Sequence, residues 1–266
     1  MSRLPLGFRI LAQGSAGLVL AFLVLPILAV VPASFNQASF IYLPPHAYSG
    51  RWYQDFFLDS EWRSALYNSL EVALIATVIA VLLGTVSAIG LARVNARWRR
   101  LLTGLFLAPM IVPVIVTAVA VYRSALDVGL NGTILGMSLG HAVLALPFVV
   151  INVGIALRAV DENWLRAATG LGASPWTAFR TITLPNITPG LVGGAIFSFV
   201  TSFDEVVVAV FLAGYANKTL PVKIWESIRL EFTPVVAVAA TFMILLAIVL
   251  FSGAQGLSKT AEKQKG

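Results

Sequence analysis

Residues 162–185 read ENWLRAATGLGASPWTAFRTITLP, a polar, charged interruption in an otherwise strongly apolar chain. Two short helices with a hinge between them are expected. Gly172 suits the left-handed residue that ends the first helix, Ser174 can cap the second, and Pro175 fits its opening turn, where no amide donor is needed. Leu184 and Pro185 then close the segment. Trp164, Leu165 and Leu171 offer apolar contact, while Ala167 and Ala168 leave room for close approach by another body. Because the flanking runs look membrane-spanning, a compact basic element is expected at a membrane surface, presented for something else to hold.

The rest of the chain supports a membrane setting. It is 58% hydrophobic and 11% charged over 266 residues, with a mean hydropathy of +0.88, far outside the soluble range. The fold class expected is all-α: a single transmembrane domain over 1–266 with six spans, at about 14–34, 66–92, 101–123, 133–157, 189–212 and 234–256. The uncharged runs 72–92 and 101–121 hold 21 residues each, enough to cross a hydrocarbon core about 30 Å thick. Pro109 and Pro113 are expected to bend the third span. The first apolar run follows a basic leader and is read as an uncleaved helix. Trp52, Tyr53, Phe56 and Phe57 suggest a membrane interface, and a short interfacial helix is expected from Pro221, with Ile224, Trp225 and Ile228 on one side. Gly84, Gly90, Gly193 and Gly194 suit close helix contacts.

Six spans put both termini on one side. Arg3, Arg9, Arg93, Arg97, Arg99, Arg100, Arg158, Arg166, Arg180, Lys259, Lys263 and Lys265 lie on that side, against Arg51, Arg63, Arg123, Lys218, Lys223 and Arg229 opposite. The imbalance makes the terminal side, with the 162–185 loop, cytoplasmic. The net charge of +6 thus serves orientation; no nucleic acid is expected as a partner, since the cations are not interleaved with aromatics on a soluble face. RVNARWRR at 93–100 is read mainly as a topology signal, with Trp98 and its arginines in reach of membrane lipid headgroups. There is no cysteine, and His46 and His141 are the only histidines, so no metal site is expected. The phosphate-cradling pattern G-x-x-x-x-G-K-[ST] is absent, so no catalytic residue and no nucleotide is assigned to this chain.

Asp204 and Glu205 are the second informative feature. On a helix starting near Pro189, Asp204 lies about 22 Å along the axis, and an ionisable group inside a span must face protein or water. At 100° per residue Ser198, Thr201, Ser202 and Glu205 share one arc, with Asp204 off its edge. Glu205 is therefore the better candidate for a water-lined path. The plainer alternative is that both acids pair with basic groups of a neighbouring subunit.

Ala167, Ala168, Gly172, Ile182, Leu184 and Pro185 are spaced as in the EAA loop, so the chain resembles the permease subunits of type I, binding-protein-dependent ABC importers. Arg166 stands where that family usually has a glutamate. The segments SFVTSFDEVVVAVFLAG and TLPVKIWESIR resemble the spermidine/putrescine branch. The resemblance implies a bacterial inner membrane location, two ATP-binding subunits carrying ATP and Mg, a second permease subunit and an external substrate-binding protein. It also implies a small cationic substrate, for which Phe197, Phe203, Tyr122 or Trp225 could add cation–π contacts. Alternatives left open are an amino acid or opine substrate and a secondary transporter with Glu205 as its ion site. An intramembrane enzyme is weaker, because adjacent carboxylates on a helix diverge by about 100°.

Overall fold

Apolar runs in a bilayer must satisfy their backbone polar groups within the segment, which selects helices. The structure, a computed structural model, describes residues 6–230 and 233–263; Arg3 and Lys265, counted above on the terminal side, lie outside the described residues. Twelve α-helices follow in order: α1 Leu6–Ser34, α2 Arg51–Leu58, α3 Ser60–Arg93, α4 Ala96–Ile111, α5 Val114–Asp127, α6 Ile134–Arg158, α7 Glu162–Gly170, α8 Pro175–Ala178, α9 Leu184–Phe203, α10 Val207–Leu212, α11 Leu220–Leu230 and α12 Val235–Lys263. Among the described residues the extended structure is one isolated bridge, Asn36 to Tyr48. Among the described residues five helical stretches are long and apolar enough to cross a membrane, and α4 with α5 makes a sixth if the pair counts as one span.

Two expected spans are built differently. The third is broken rather than bent: α4 and α5 meet at 101°. Val112, which precedes Pro113, is extended (φ −69°, ψ 134°), as the clash with a following proline ring requires. Pro109 lies inside α4 without ending it. The fifth span does not begin near Pro189 or run unbroken to 212. It starts at Leu184, ends at Phe203, and resumes only at Val207.

The chain divides into two compact units. In the first, Met1–Ser60 with Glu226–Leu245, two of the four aromatics expected at the membrane interface, Trp52 and Phe56, are buried. Trp52 donates its indole N–H to the Asn36 carbonyl at 2.7 Å, Tyr53 and Ser34 share a 2.8 Å hydroxyl contact, and Phe56 is fully buried against Phe57 and Phe242. Phe57 itself is exposed.

In the second unit, Glu61–Trp225 with Leu246–Gly266, α3, α6 and α9 pack through small residues. A Cβ on Gly84 would lie 2.7 Å from Val149 Cβ, one on Gly190 2.6 Å from the Asn152 carbonyl oxygen, and one on Gly194 3.0 Å from Val149 Cα. Without a hydrophobic force between helices in lipid, such close approach supplies the packing. Gly90, expected to serve likewise, has open space beside it. A neighbouring apolar cluster joins Val208, Ala209 and Leu212 of α10 to Ala118 and Ala125 of α5 and Met137 of α6. The segment before α11 is held by Asn68 Nδ2 on the Ala216 and Lys218 carbonyls and by Ser69 Oγ, which accepts from Leu220 N–H at 2.7 Å.

Candidate functional site

The 162–185 segment projects as a helix–turn–helix whose joints follow from local chemistry. Asp161 caps α7 by accepting from Asn163 N–H at 2.8 Å. At the other end Ala173 N–H reaches the Ala168 carbonyl and Gly172 N–H the Thr169 carbonyl, both at 3.0 Å, with Gly172 at φ +83°. This pair of bonds is the Schellman closure that a left-handed glycine permits. Ser174 Oγ then accepts from Thr177 N–H at 3.1 Å, and Pro175 takes the opening position of α8. Trp164, Ala167, Leu171, Gly172, Ser174 and Pro175 are exposed, with Leu171 at 90%, while Leu165 and Ala168 are half-buried. Arg166, in the position of the usual glutamate, pairs with Glu162 at 3.1 Å across one turn of α7.

Leu184 and Pro185 do not close the segment. A π-helical turn, Phe179–Thr183, links α8 to α9, and Leu184 N–H bonds the Phe179 carbonyl five residues back. Pro185 has no N–H and its ring would strike the carbonyl four residues earlier in a regular helix; the wider turn accommodates it. The helical run is therefore continuous from Pro175 to Phe203, so α8 and the span α9 form one rod.

At the far end of α9 the carboxylates separate into different environments. Glu205 is 9% exposed; its Oε1 accepts from Val207 N–H at 3.0 Å and its Oε2 from Ala209 N–H at 3.1 Å. It thereby serves two of the amide donors that the start of α10 leaves open. His141 of α6, fully buried, places Nε2 3.6 Å from Glu205 Oε2 and Nδ1 2.9 Å from Ser202 Oγ. Ser198 donates to the Ala145 carbonyl at 3.3 Å. Thus Ser198, Ser202 and Glu205 share a side, and each meets α6 there. Thr201 is half-buried; Phe197 is exposed and stacks on Phe148 at 5.9 Å. Asp204 is exposed, and its carboxylate has no hydrogen-bond or ion-pair partner among the described residues. A hydrogen-bonded packing role is the ordinary expectation for a lone histidine in a span, and His141 has it; its approach to Glu205 was missed in the sequence. One signal was present: two acids directly before the apolar run Val206–Leu212 read as a helix start.

The described residues thus form a multi-span helical membrane protein that exposes a folded helical loop at the root of one span. Residues 80–261 match the model of the binding-protein-dependent transport system inner membrane component family. The chain belongs to that family and is a permease of the type I ABC importer class. It is 30% identical over 258 residues, 97% of both chains, to the spermidine/putrescine transport system permease protein PotC of Shigella flexneri. It is 30% identical over 251 residues, 92% of this chain and 89% of the relative, to the putrescine transport system permease protein PotI of Escherichia coli strain K12. Among solved structures it resembles a chain of the bacterial alginate ABC transporter in complex with an alginate pentasaccharide-bound periplasmic protein, with TM-score 0.69 and 15% identity over 95% of this chain and 94% of the other. That likeness concerns the fold alone.

Proposed function

We propose that residues 1–266 act as one transmembrane domain that forms half of an import path for a small cationic amino compound of the polyamine class. The chain is driven by a partner ATPase gripping residues 162–185. The observation that carries the coupling assignment is mechanical. Trp164, Leu171 and Trp176 are exposed on a rigid turn, and the second helix of that turn continues without a break into α9. Force applied to the loop reaches the membrane through one helical rod.

Two ATP-binding subunits holding ATP and Mg, a second permease and an external substrate-binding protein complete the assembly in a bacterial inner membrane, with both termini cytoplasmic. The polyamine reading rests on two relatives similar over almost the whole chain and on Asp204. An unpartnered carboxylate at the end of a span attracts a cation and repels an anion, and lipid is a costly environment for it. We assign the path contact to Asp204 and give Glu205 the supporting role of holding the break between α9 and α10.

The test is reconstitution with the partner ATPases, second permease and binding protein. Polyamine-loaded binding protein should stimulate ATP hydrolysis, and spermidine and putrescine should compete for uptake while amino acids do not. Uptake by the chain alone, driven by an ion gradient, would refute the coupling assignment. Competition by amino acids but not polyamines would refute the substrate.

A further inference from the structure

The arginine cluster between α3 and α4 has no use in the coupling loop or the path. Arg93 lies in the last turn of α3, and Arg97, Arg99 and Arg100 lie in the first turns of α4. All four are exposed, and none forms an ion pair with a described residue. The sequence offers them no compensation nearby, since no acid occurs between Glu71 and Asp127. Asn95 caps α4 by accepting from Trp98 N–H at 3.1 Å, which fixes the arginines on a folded helix. Four cations are therefore gathered within eight residues at the end of a membrane span, with no ion-pair partner among the described residues.

A second feature says what kind of anion fits. Trp98, Leu101 and Leu105 are 55%, 63% and 66% exposed, and at 100° per residue they fall within an arc of about 60°. An exposed apolar stripe thus leaves the cationic cluster along α4. A free anion or a nucleic acid would use the arginines and leave this stripe bare. A phospholipid uses both, its phosphate on the guanidiniums and an acyl chain along the stripe. Juxtamembrane cations attract anionic headgroups through their charge, and indole favours the headgroup level.

We propose that Arg93, Arg97, Arg99 and Arg100, with the Trp98–Leu101–Leu105 stripe, form a binding site for an anionic phospholipid at the α3–α4 turn. The full-length chain, purified in neutral detergent, is titrated in native mass spectrometry with phosphatidylglycerol, with phosphatidylethanolamine of the same acyl chains, and with soluble glycerophosphoglycerol. Phosphatidylglycerol should be retained in preference to the other two. Each arginine near an anionic headgroup contributes about fivefold, so R97Q/R99Q/R100Q should weaken retention on the order of a hundredfold. R97K/R99K/R100K, which preserves the charge, should stay within about fivefold. Equal retention of the two lipids overturns the proposal without reference to any variant. So does soluble headgroup binding as tightly as intact lipid, or a lysine variant that falls as far as the glutamine one.

Discussion

Glu205→Gln separates a path carboxylate from a structural one. In the wild-type chain both carboxylate oxygens accept backbone N–H groups, from Val207 at 3.0 Å and Ala209 at 3.1 Å. Glutamine keeps the length but replaces one acceptor with an NH2 donor, so one of the two amides loses its partner. Ala209 is fully buried and Val207 half-buried, so water is a poor substitute. An orphaned buried donor costs about 1–3 kcal/mol, which shifts the opening equilibrium of α10 by roughly 5- to 150-fold. Hydrogen exchange of the 206–212 amides in the purified complex reads this directly and should accelerate by that order, with a lower melting temperature. Asp204→Asn is the matched control: its side chain is exposed and has no partner among the described residues, so exchange and melting should stay at wild-type values while polyamine uptake falls severalfold. Wild-type exchange with abolished uptake in Glu205→Gln would refute the reasoning and return that residue to the path.

The absence of native cysteine makes single-cysteine labelling clean. Asp204→Cys should react with a charged thiosulfonate reagent and be protected by substrate, whereas Ser202→Cys, at a position 4% exposed in the wild-type chain, should stay unreactive; the reverse order would place the accessible surface elsewhere. Gly172 has φ +83° and nothing within 4 Å of an added Cβ. Gly172→Ala therefore costs only the backbone strain of a left-handed residue, about 1–2 kcal/mol. Gly172→Asp, better tolerated in that conformation, adds bulk and charge at the expected contact. Co-purification of the ATPase should fall further with aspartate than with alanine, and the opposite ranking would reduce the glycine to a turn residue. Gly190→Val should loosen the α6–α9 contact, because even a Cβ there lies 2.6 Å from the Asn152 carbonyl; overpacking of this kind costs about 1–3 kcal/mol, read as a lower melting temperature. Gly90→Val, beside open space, should not change it.

What could be read from the sequence was chemistry confined to a few neighbouring residues. Gly172, Ser174 and Pro175 specify their turn through their own backbone preferences and one side-chain oxygen, and the structure has φ +83°, a Ser174 cap and Pro175 at the helix start. The fourth span was expected at 133–157 and is found at Ile134–Arg158, where Thr133 supplies the cap. Hydropathy identified apolar runs but not continuity. Pro109 and Pro113 look alike in a window, yet one is carried inside α4 and the other opens a 101° break. Likewise the burial of Phe56 was not legible, because Phe242, which its ring meets, is distant in the chain.

The two readings open to Glu205, path and helix end, share a more general cause. A carboxylate within an apolar run has two ways to offset its desolvation: water in a path, or backbone donors that a helix end leaves open. Both produce the same letters. The helical wheel chose the first because it assumed an unbroken helix, and in an unbroken helix those donors are already used. Once α9 ends at Phe203, the donors exist and the nearest acid of sufficient reach takes them. Adjacent acids at such a break therefore divide: Glu205 turns inward to the amides of α10 and to His141, and Asp204 stays exposed. On this view the break and the charge pair are one device, because the partner acid that builds the turn also determines which carboxylate remains unsatisfied.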